Sequence, residues 1–370
     1  DGDSNVNILV YADVQASSLN NFLVGARAVN AGLNSSAAPF DLMINLGDFT
    51  NDSTNEEWNY YAEAFDSICL NNTLAPVSGN HDGLGCPHWF NNMFNLDTSE
   101  SVQVNDGVNY SFDYGNTHIA VLNTNDILSI SQAQLKWLEN DMNKTNKDWK
   151  IVSMHKTPYT LGKDGKWPDA MYLQQALTAV CDKTGVDLII SGHDHQYLRT
   201  KSLTGNEVKE GGATYVLCGT AGSKRYQVRP FAVNNFTPME FINTMVSQRD
   251  GKYFNGKDFD SQKDLYIGSC YNTITVNGGK LTFDSYIITD ESEENPEGTV
   301  TQIDSFTLSK EVGKNVPTFT GDNTTSKLSY GLNSIASVLN LLVYAFGTWL
   351  PKFIKAAPDI IKSYITDGTF

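Results

Sequence analysis

Apolar residues fall into short runs that alternate, through residue 195, with longer amphipathic stretches. Val6-Asn7-Ile8-Leu9-Val10-Tyr11-Ala12 is nearly continuous in apolar side chains and reads as a strand buried on both faces. A helix is expected over Leu19–Leu33, ended by Gly32 or Asn34. Phe40–Leu46 is a second strand, interrupted by Asp41 and Asn45. Asn55-Glu56-Glu57 opens a second helix with acidic residues in its first turn, where the helix dipole favours them. A third strand, Leu74-Ala75-Pro76-Val77, leads into a long loop over Gly83–Gly107. Val108–Tyr114 and Thr117–Asn123 predict a hairpin turning at Gly115-Asn116. Ser131 caps a helix with Leu135 and Leu138 on one face, and Trp149–Met154 is the next strand. A helix over Asp169–Lys183, closed by Gly185, precedes a strand over Val186–Ile190.

Beyond that point helices give way to strands, at Tyr197–Leu203, Ala213–Cys218, Tyr266–Val276 and Leu281–Ile288. Residues 223–262 have no clear period and are expected to form an excursion over the site. Asp290–Gly298 is acidic and contains Pro296, which predicts a catalytic domain over residues 1–290. Residues 291–370 are then a linker and an apolar helical C-terminal segment. Leu332–Leu350 carries no charge but is diluted by Asn333, Ser334, Ser337, Asn340 and Gly347. Helices docked on the domain or on a partner are the favoured reading of this tail. A membrane-surface segment and a span are the alternatives, so a membrane or protein contact is assigned to residues 332–362.

The alternation predicts an α/β fold, in which ligands collect at the carboxyl edge of the sheet. At those strand ends stand Asp13-Val14-Gln15, Gly47-Asp48, Gly79-Asn80-His81-Asp82, His155 and Gly192-His193-Asp194-His195. Only six histidines occur in the chain, and all but His88 and His118 lie in these motifs. His118, within a strand, is expected to be a hydrogen-bonded structural residue, and His88 is read as an ordinary loop residue, with lining of a substrate pocket as the alternative. Carboxylate, amide oxygen and imidazole together suit Zn, Mn or Fe. The set is too large for one tetrahedral zinc. It fits two metals about 3.5–4 Å apart sharing a carboxylate.

Composition narrows the partners. The net charge of −16 argues against nucleic acid, which requires a basic surface. It also means that a phosphorylated substrate would need local positive charge, which bound metal ions supply. The five cysteines show no Cys-x-x-Cys spacing. Cys181 and Cys218 read as buried thiols, and a Cys69–Cys86 pair is an open alternative. Asn-x-Ser/Thr sequons at Asn34, Asn51, Asn71, Asn109, Asn143, Asn235 and Asn323 suggest an extracellular or secreted protein.

The ordered set Asp-x-x, Gly-Asp, Gly-Asn-His-Asp, Val-x-x-His and Gly-His-x-His resembles the calcineurin-like metallophosphoesterases. Tyr110-Ser111-Phe112-Asp113-Tyr114-Gly115, Gln134–Leu138 and Gly192–Tyr197 are similar to the purple-acid-phosphatase-like branch. The resemblance spans roughly residues 5–290. It implies a two-sheet β-sandwich flanked by helices, a four-layer αββα arrangement, with a dinuclear centre of divalent metal ions at the strand ends. Carried over, Asp13 and His195 hold one metal, Asp48 bridges both, and Asn80, His155 and His193 hold the other. His81 stands by the leaving group as general acid or transition-state stabiliser. Gln15 replaces the His of most of the superfamily and is an uncertain ligand. Asn51 stands where purple enzymes carry a tyrosine, so a protein that is not purple is expected. The implied activity is phosphomonoester hydrolysis on a small phosphorylated substrate. A phosphodiesterase of nucleotides or lipid head groups and a non-catalytic scaffold with a vestigial site are the alternatives.

Overall fold

The structure, a computed structural model, describes residues 5–36, 38–83, 89–96, 101, 108–125, 129–261, 263–289, 298–313, 346 and 349–367. In chain order the elements are β1 (Asn5–Tyr11), α1 (Leu19–Asn34), β2 (Leu42–Asn45), α2 (Asn55–Asn71), β3 (Leu74–Pro76), α3 (Trp89–Phe94), β4 (Tyr110–Tyr114) and β5 (Thr117–Val121). Next come α4 (Gln132–Lys144), β6 (Trp149–Met154), α5 (Pro168–Thr184), β7 (Leu188–Ser191), β8 (Tyr197–Thr200), β9 (Leu203–Thr204), β10 (Glu207–Val208) and β11 (Thr214–Cys218). The remainder are β12 (Ile242–Val246), β13 (Lys252–Phe254), β14 (Phe259–Ser261), α6 (Lys263–Tyr266), β15 (Ser269–Asn277), β16 (Lys280–Thr289), β17 (Thr299–Ser309) and α7 (Leu350–Asp367).

Two large sheets stack face to face. One has the order β17-β16-β15-β1-β2-β3 and the other β14-β13-β12-β8-β11-β7-β6-β5-β4. β1, β2 and β3 run parallel, as do β5, β6, β7 and β11. Ile8, Val10 and Ile44 of the first sheet meet Ile119, Ile151, Ile190 and Val216 of the second in the inter-sheet core. The opposite faces are covered too. Leu9, Tyr11 and Met43 pack under Phe22 and Val29 of α1 and Trp58, Tyr61 and Phe65 of α2. Val152, Ile189 and Leu217 pack under Leu138 of α4 and Leu173 and Leu177 of α5. The architecture is the expected αββα sandwich. It explains why β1 has no polar alternation: both of its faces are buried.

Local signals set most boundaries. Thr54 caps α2 in a reciprocal capping box with Glu57, Ser131 caps α4, and Gly185 closes α5 in the left-handed conformation at φ 68°. The hairpin turns at Gly115-Asn116, and Cys181 and Cys218 are buried.

Elsewhere tertiary contacts overrode the local pattern. The loop expected over Gly83–Gly107 contains α3, whose Phe90 and Phe94 join the aromatic cluster around Phe49. Cys86 and His88 lie outside the described residues. The excursion expected over 223–262 contains β12, β13 and β14, which widen the second sheet. The strand expected from Tyr266 starts at Ser269, after the single turn of α6. The sheet also runs on past residue 290, because β17 pairs along β16 instead of belonging to a linker. Its anchor is Asp304, whose carboxylate accepts from Arg199 Nε at 2.6 Å, Arg199 Nη2 at 3.0 Å and the Tyr197 hydroxyl at 2.7 Å. β17 is thereby tied across the sandwich to β8.

The tail helix α7 docks on the body. Ala356 and Ile360 are buried against Met171, Phe231 and Phe236, and Trp349 Nε1 donates to the Lys166 carbonyl at 2.9 Å. Residues 332–345 of the uncharged run lie outside the described residues. No described helix is long and apolar enough to cross a membrane.

Asp304→Ala strands a largely buried guanidinium, and the expected loss is about 3–5 kcal/mol of unfolding free energy, measured by urea denaturation. His118 is the structural residue expected. Its Nδ1 lies 2.7 Å from Asp113 and its Nε2 2.8 Å from Asp141. Burial opposes its charge, but Asp141 and Asp113 outweigh it and raise its pKa. Its contribution is therefore complete below the unfolded value of about 6.5 and fades as pH rises through the higher folded value. The melting temperature of the wild type relative to His118→Phe should fall over that interval.

Candidate metal centre

The parallel strands deliver the motif residues to one place. Asp13 follows β1, Asp48 follows β2, Asn80 and His81 follow β3, His155 follows β6, and His193 and His195 follow β7. Metal-donor atoms of Asp48, His155 and His193 lie within 4.8 Å of one another, and so do those of Asp13, Asp48 and His195. Asp48 belongs to both groups. Asn80 Oδ1 is 3.0 Å from His155 Nε2, and that nitrogen is 3.2 Å from Asp48 Oδ1 and 3.2 Å from His193 Nδ1. His195 Nε2 is 3.5 Å from Asp13 Oδ1. The His81 backbone N–H donates to Asp48 Oδ1 at 2.9 Å.

Hydrogen bonds behind the imidazoles select which nitrogen faces the centre. His155 Nδ1–H donates to the Leu46 carbonyl at 2.8 Å, and His195 Nδ1–H donates to the Lys224 carbonyl. Nε2 of each ring is thereby left as the donor atom. In His193 the arrangement is reversed: Nε2 is 3.7 Å from Asp164, and Nδ1 faces His155.

Delivery requires strained backbone. Asp13, Gln15, Asp48 and His193 all have positive φ, at 54°, 36°, 52° and 82°. Such conformations cost on the order of 1–3 kcal/mol each and persist only where the surroundings enforce them. Here they are enforced by tight approach. Gly47, at φ 96°, lies so close to the His155 ring that a Cβ would sit 2.7 Å from Nδ1. A Cβ on Gly79 would sit 2.0 Å from the Asp48 nitrogen. Asp82 is the main clamp. Its buried carboxylate accepts from the backbone N–H groups of Asp48, Phe49, Thr50 and Gly79, at 3.0, 2.8, 3.3 and 2.7 Å. Phe49 is then held by rings on Tyr61 and Phe94, with centroids 5.2 and 4.9 Å away.

The electrostatics are those of a cation site. Burial opposes ionisation of Asp48, but His155 outweighs it and holds the carboxyl well below the usual range. Burial likewise opposes a charged His155, while Asp48 and Asp13 raise it to about 9. Burial and then His155 and Lys156 push His193 well down. Burial and the Asp48 charge lift Asp82 to about 7. The donor set also fits metal on other grounds. Both amide atoms of Gln15 are buried without a hydrogen-bond partner, and its backbone N–H donates to the Asp48 carbonyl at 2.8 Å.

The structure thus brings Asp13, Asp48, Asn80, His155, His193 and His195 together, while Asp194 turns away to accept from the Thr160 hydroxyl. Sequence reasoning gave no role to Asp82, though it lies within Gly79–Asp82. Lys163, Asp164 and Tyr226 carried no signal of their own, and Lys224 and Tyr226 belong to the segment expected to pass over the site. Asn51 occupies the position expected of a purple enzyme's tyrosine. Its carbonyl is 2.5 Å from His81 Nδ1, which therefore carries the proton.

A two-sheet sandwich with carboxylate, amide and imidazole donors gathered at its strand ends defines a metallophosphoesterase-type protein. The sequence model of the calcineurin-like phosphoesterase family matches residues 6–197, just over half of the chain, and the chain belongs to that family. Among curated proteins, Purple acid phosphatase 21 of Arabidopsis thaliana is 22% identical over 196 residues, covering 50% of this chain and 44% of that protein. The chain spans about half the length of such relatives. Among solved structures, purple acid phosphatase PPD1 from yellow lupin (Lupinus luteus) superposes with a TM-score of 0.61 at 16% identity, covering 84% of this chain and 55% of that one. GAP50, the anchor in the inner membrane complex of Plasmodium, gives a TM-score of 0.50 at 14% identity, covering 92% of this chain and 96% of that one. These likenesses establish the fold.

Asp82→Ala removes the acceptor for all of those N–H groups and frees the Asp48 turn. Divalent-metal affinity should fall about 10–100-fold, read by titration calorimetry with Mn or Zn.

Proposed function

We propose that this protein is a metal-dependent phosphoester hydrolase, acting on small phosphomonoesters through two divalent ions, Mn, Zn or Fe. The observation that carries the reading is Asp48, the carboxylate common to both donor groups. In this reading Asp13, Asp48 and His195 hold one ion, with Gln15 as an added amide donor. Asp48, Asn80, His155 and His193 hold the other. When bound, the ions supply Lewis acidity toward phosphoryl oxygens and water. Water and phosphoester give alcohol and inorganic phosphate, with one water proton passing to the departing oxygen.

The chain's own contribution is orientation and charge stabilisation. Asn51 holds His81 by Nδ1–H, which leaves Nε2 as the nitrogen that receives or returns a proton at the leaving oxygen. The Asp48 carboxylate fixes the His81 backbone, so ring and metal donors keep one register. With Asn51 in place of a tyrosine, that position offers no phenolate for a charge-transfer colour. An extracellular or secreted location belongs to the same proposal, on the sequons alone.

The second reading is a binding or scaffolding module, favoured by Gln15, an amide where imidazole would hold an ion more tightly. Metal analysis joined to a panel of p-nitrophenyl phosphate, its bis-ester and nucleotides separates the readings. Two ions per chain with faster turnover of the monoester supports the proposal. Less than one ion after reconstitution supports the scaffold, and preference for the bis-ester supports a diesterase. His81→Ala should lower kcat about 10²–10³-fold while leaving metal content near two per chain. Unchanged turnover would remove His81 from the mechanism.

A further inference from the structure

A cleft of about 330 Å³ lies between α7, α5 and the segment around Asn234, and no residue of the metal centre lines it. The docking of α7 shapes it. Ala356 and Ile360 are buried against Met171, Phe231 and Phe236, and this seat brings Lys352 and Lys355 to the cleft wall. The two lysines are three residues apart on one helix, a spacing that places Cβ atoms about 5–6 Å from each other. Neither forms an ion pair or a hydrogen bond among the described residues, and no carboxylate lines the cleft. In a chain with a net charge of −16, two lysines without a carboxylate partner stand out.

The other polar walls are amides, each fixed at one end. Asn234, left-handed at φ 59°, accepts from the Met239 N–H through Oδ1 at 2.9 Å, which leaves Nδ2 as a donor. Asn235 Nδ2 donates to the Phe231 carbonyl at 2.9 Å. Gln174 Nε2 donates to the carbonyls of Pro158 at 2.6 Å and Phe236 at 3.2 Å. Asn235 Oδ1 and Gln174 Oε1 are left as acceptors. Phe236 and Pro238 add an apolar wall. Fixed donors beside fixed acceptors match hydroxyl groups, which both donate and accept. No arginine and no glycine lines the cleft, so it lacks the guanidinium fork and the backbone nest that suit phosphate.

We propose that this cleft is a binding site for a sugar acid, whose carboxylate meets Lys352 and Lys355 and whose hydroxyls meet Asn234, Asn235 and Gln174. The volume lies at the lower end of the range of about 300–1,000 Å³ for small-molecule sites, which suits one sugar ring with its apolar C–H face on Phe236 and Pro238. That ring is either a free sugar acid or one unit of an acidic glycan. The site goes beyond the hydrolase reading and does not depend on it. Lysine, a point charge on a flexible stem, suits recognition of a class of carboxylates and not of one rigid geometry.

The test is calorimetric titration of the full chain with galacturonate, trigalacturonate, galactose and acetate. Galacturonate should bind at least about tenfold tighter than galactose or acetate, because it alone joins a charge-assisted contact to hydroxyl contacts. Trigalacturonate binding tighter than galacturonate assigns a unit of a glycan, and equal or weaker binding assigns the free sugar acid. The double variant Lys352→Gln/Lys355→Gln should lose the galacturonate margin at an unchanged melting temperature, and Lys352→Arg/Lys355→Arg should keep it. Galacturonate bound no tighter than acetate is attraction by charge alone and overturns the site. So does galacturonate bound no tighter than galactose, or bound by the Gln variant as tightly as by the wild type. A Gln variant that loses galacturonate together with its melting temperature indicates an undocked tail and overturns the direct role of the lysines. Turnover of p-nitrophenyl phosphate by the metal-loaded protein should be the same in the wild type and both variants. Absence of turnover in all three sinks the hydrolase reading and leaves the calorimetric result to decide the cleft.

Discussion

The position of Asp48 is the constraint on which the rest of the structure depends. One carboxylate has to reach donors from both sheets, because His155 and His193 come from the second sheet while Asp13 comes from the first. That is possible only if β1, β2 and β3 end level with β6 and β7 across the sandwich. The inter-sheet core of Ile8, Val10 and Ile44 against Ile151, Ile190 and Val216 fixes that alignment. Burial of such side chains contributes roughly 1.5–3 kcal/mol each, enough to hold several strained turns in place.

The strain is concentrated where it is used. Asp13, Asp48 and His193 are left-handed at the step from strand to loop, and the same turns aim their side chains at a common point. Asp82 satisfies the backbone N–H groups that the Asp48 turn leaves free of the sheet, and Phe49 sinks into an aromatic cluster built by α2 and α3. The capping box of Thr54 and Glu57 continues this bracing into α2, since Glu57 also accepts from the Asp52 N–H at 2.9 Å. A helix start, an aromatic cluster and a buried carboxylate thus converge on one turn.

Charge is organised at two scales. The chain as a whole is acidic, while the rim of the centre carries Lys163 and Lys224, both anchored through the supports of His195 and His81. Partly buried charges elsewhere serve the architecture. Arg199 and Asp304 bind β17 to the far sheet, and Lys310 reaches Asp187 at the start of β7 at 2.7 Å. The chain after residue 290 is therefore held to the sandwich by ion pairs whose partners lie about a hundred residues earlier.

The sequence by itself determined the elements whose causes are local. The doubly buried strands β1 and β6, the caps at Ser131 and Gly185, and the glycine-flanked motifs at strand ends are all written in runs of a few residues. Those motifs contain the carboxylates and imidazoles of both candidate donor groups, because such residues after a strand have few other uses in such a set. The tertiary structure alone decided what depends on distant partners. β17 has an amphipathic, half-exposed sequence whose strand character comes from pairing with β16 and from Arg199. Asp82, Asn51, Lys163 and Lys224 acquire their places from backbone groups and rings far along the chain. No pattern within a window of residues encodes which N–H a carboxylate will meet once two sheets have closed around it.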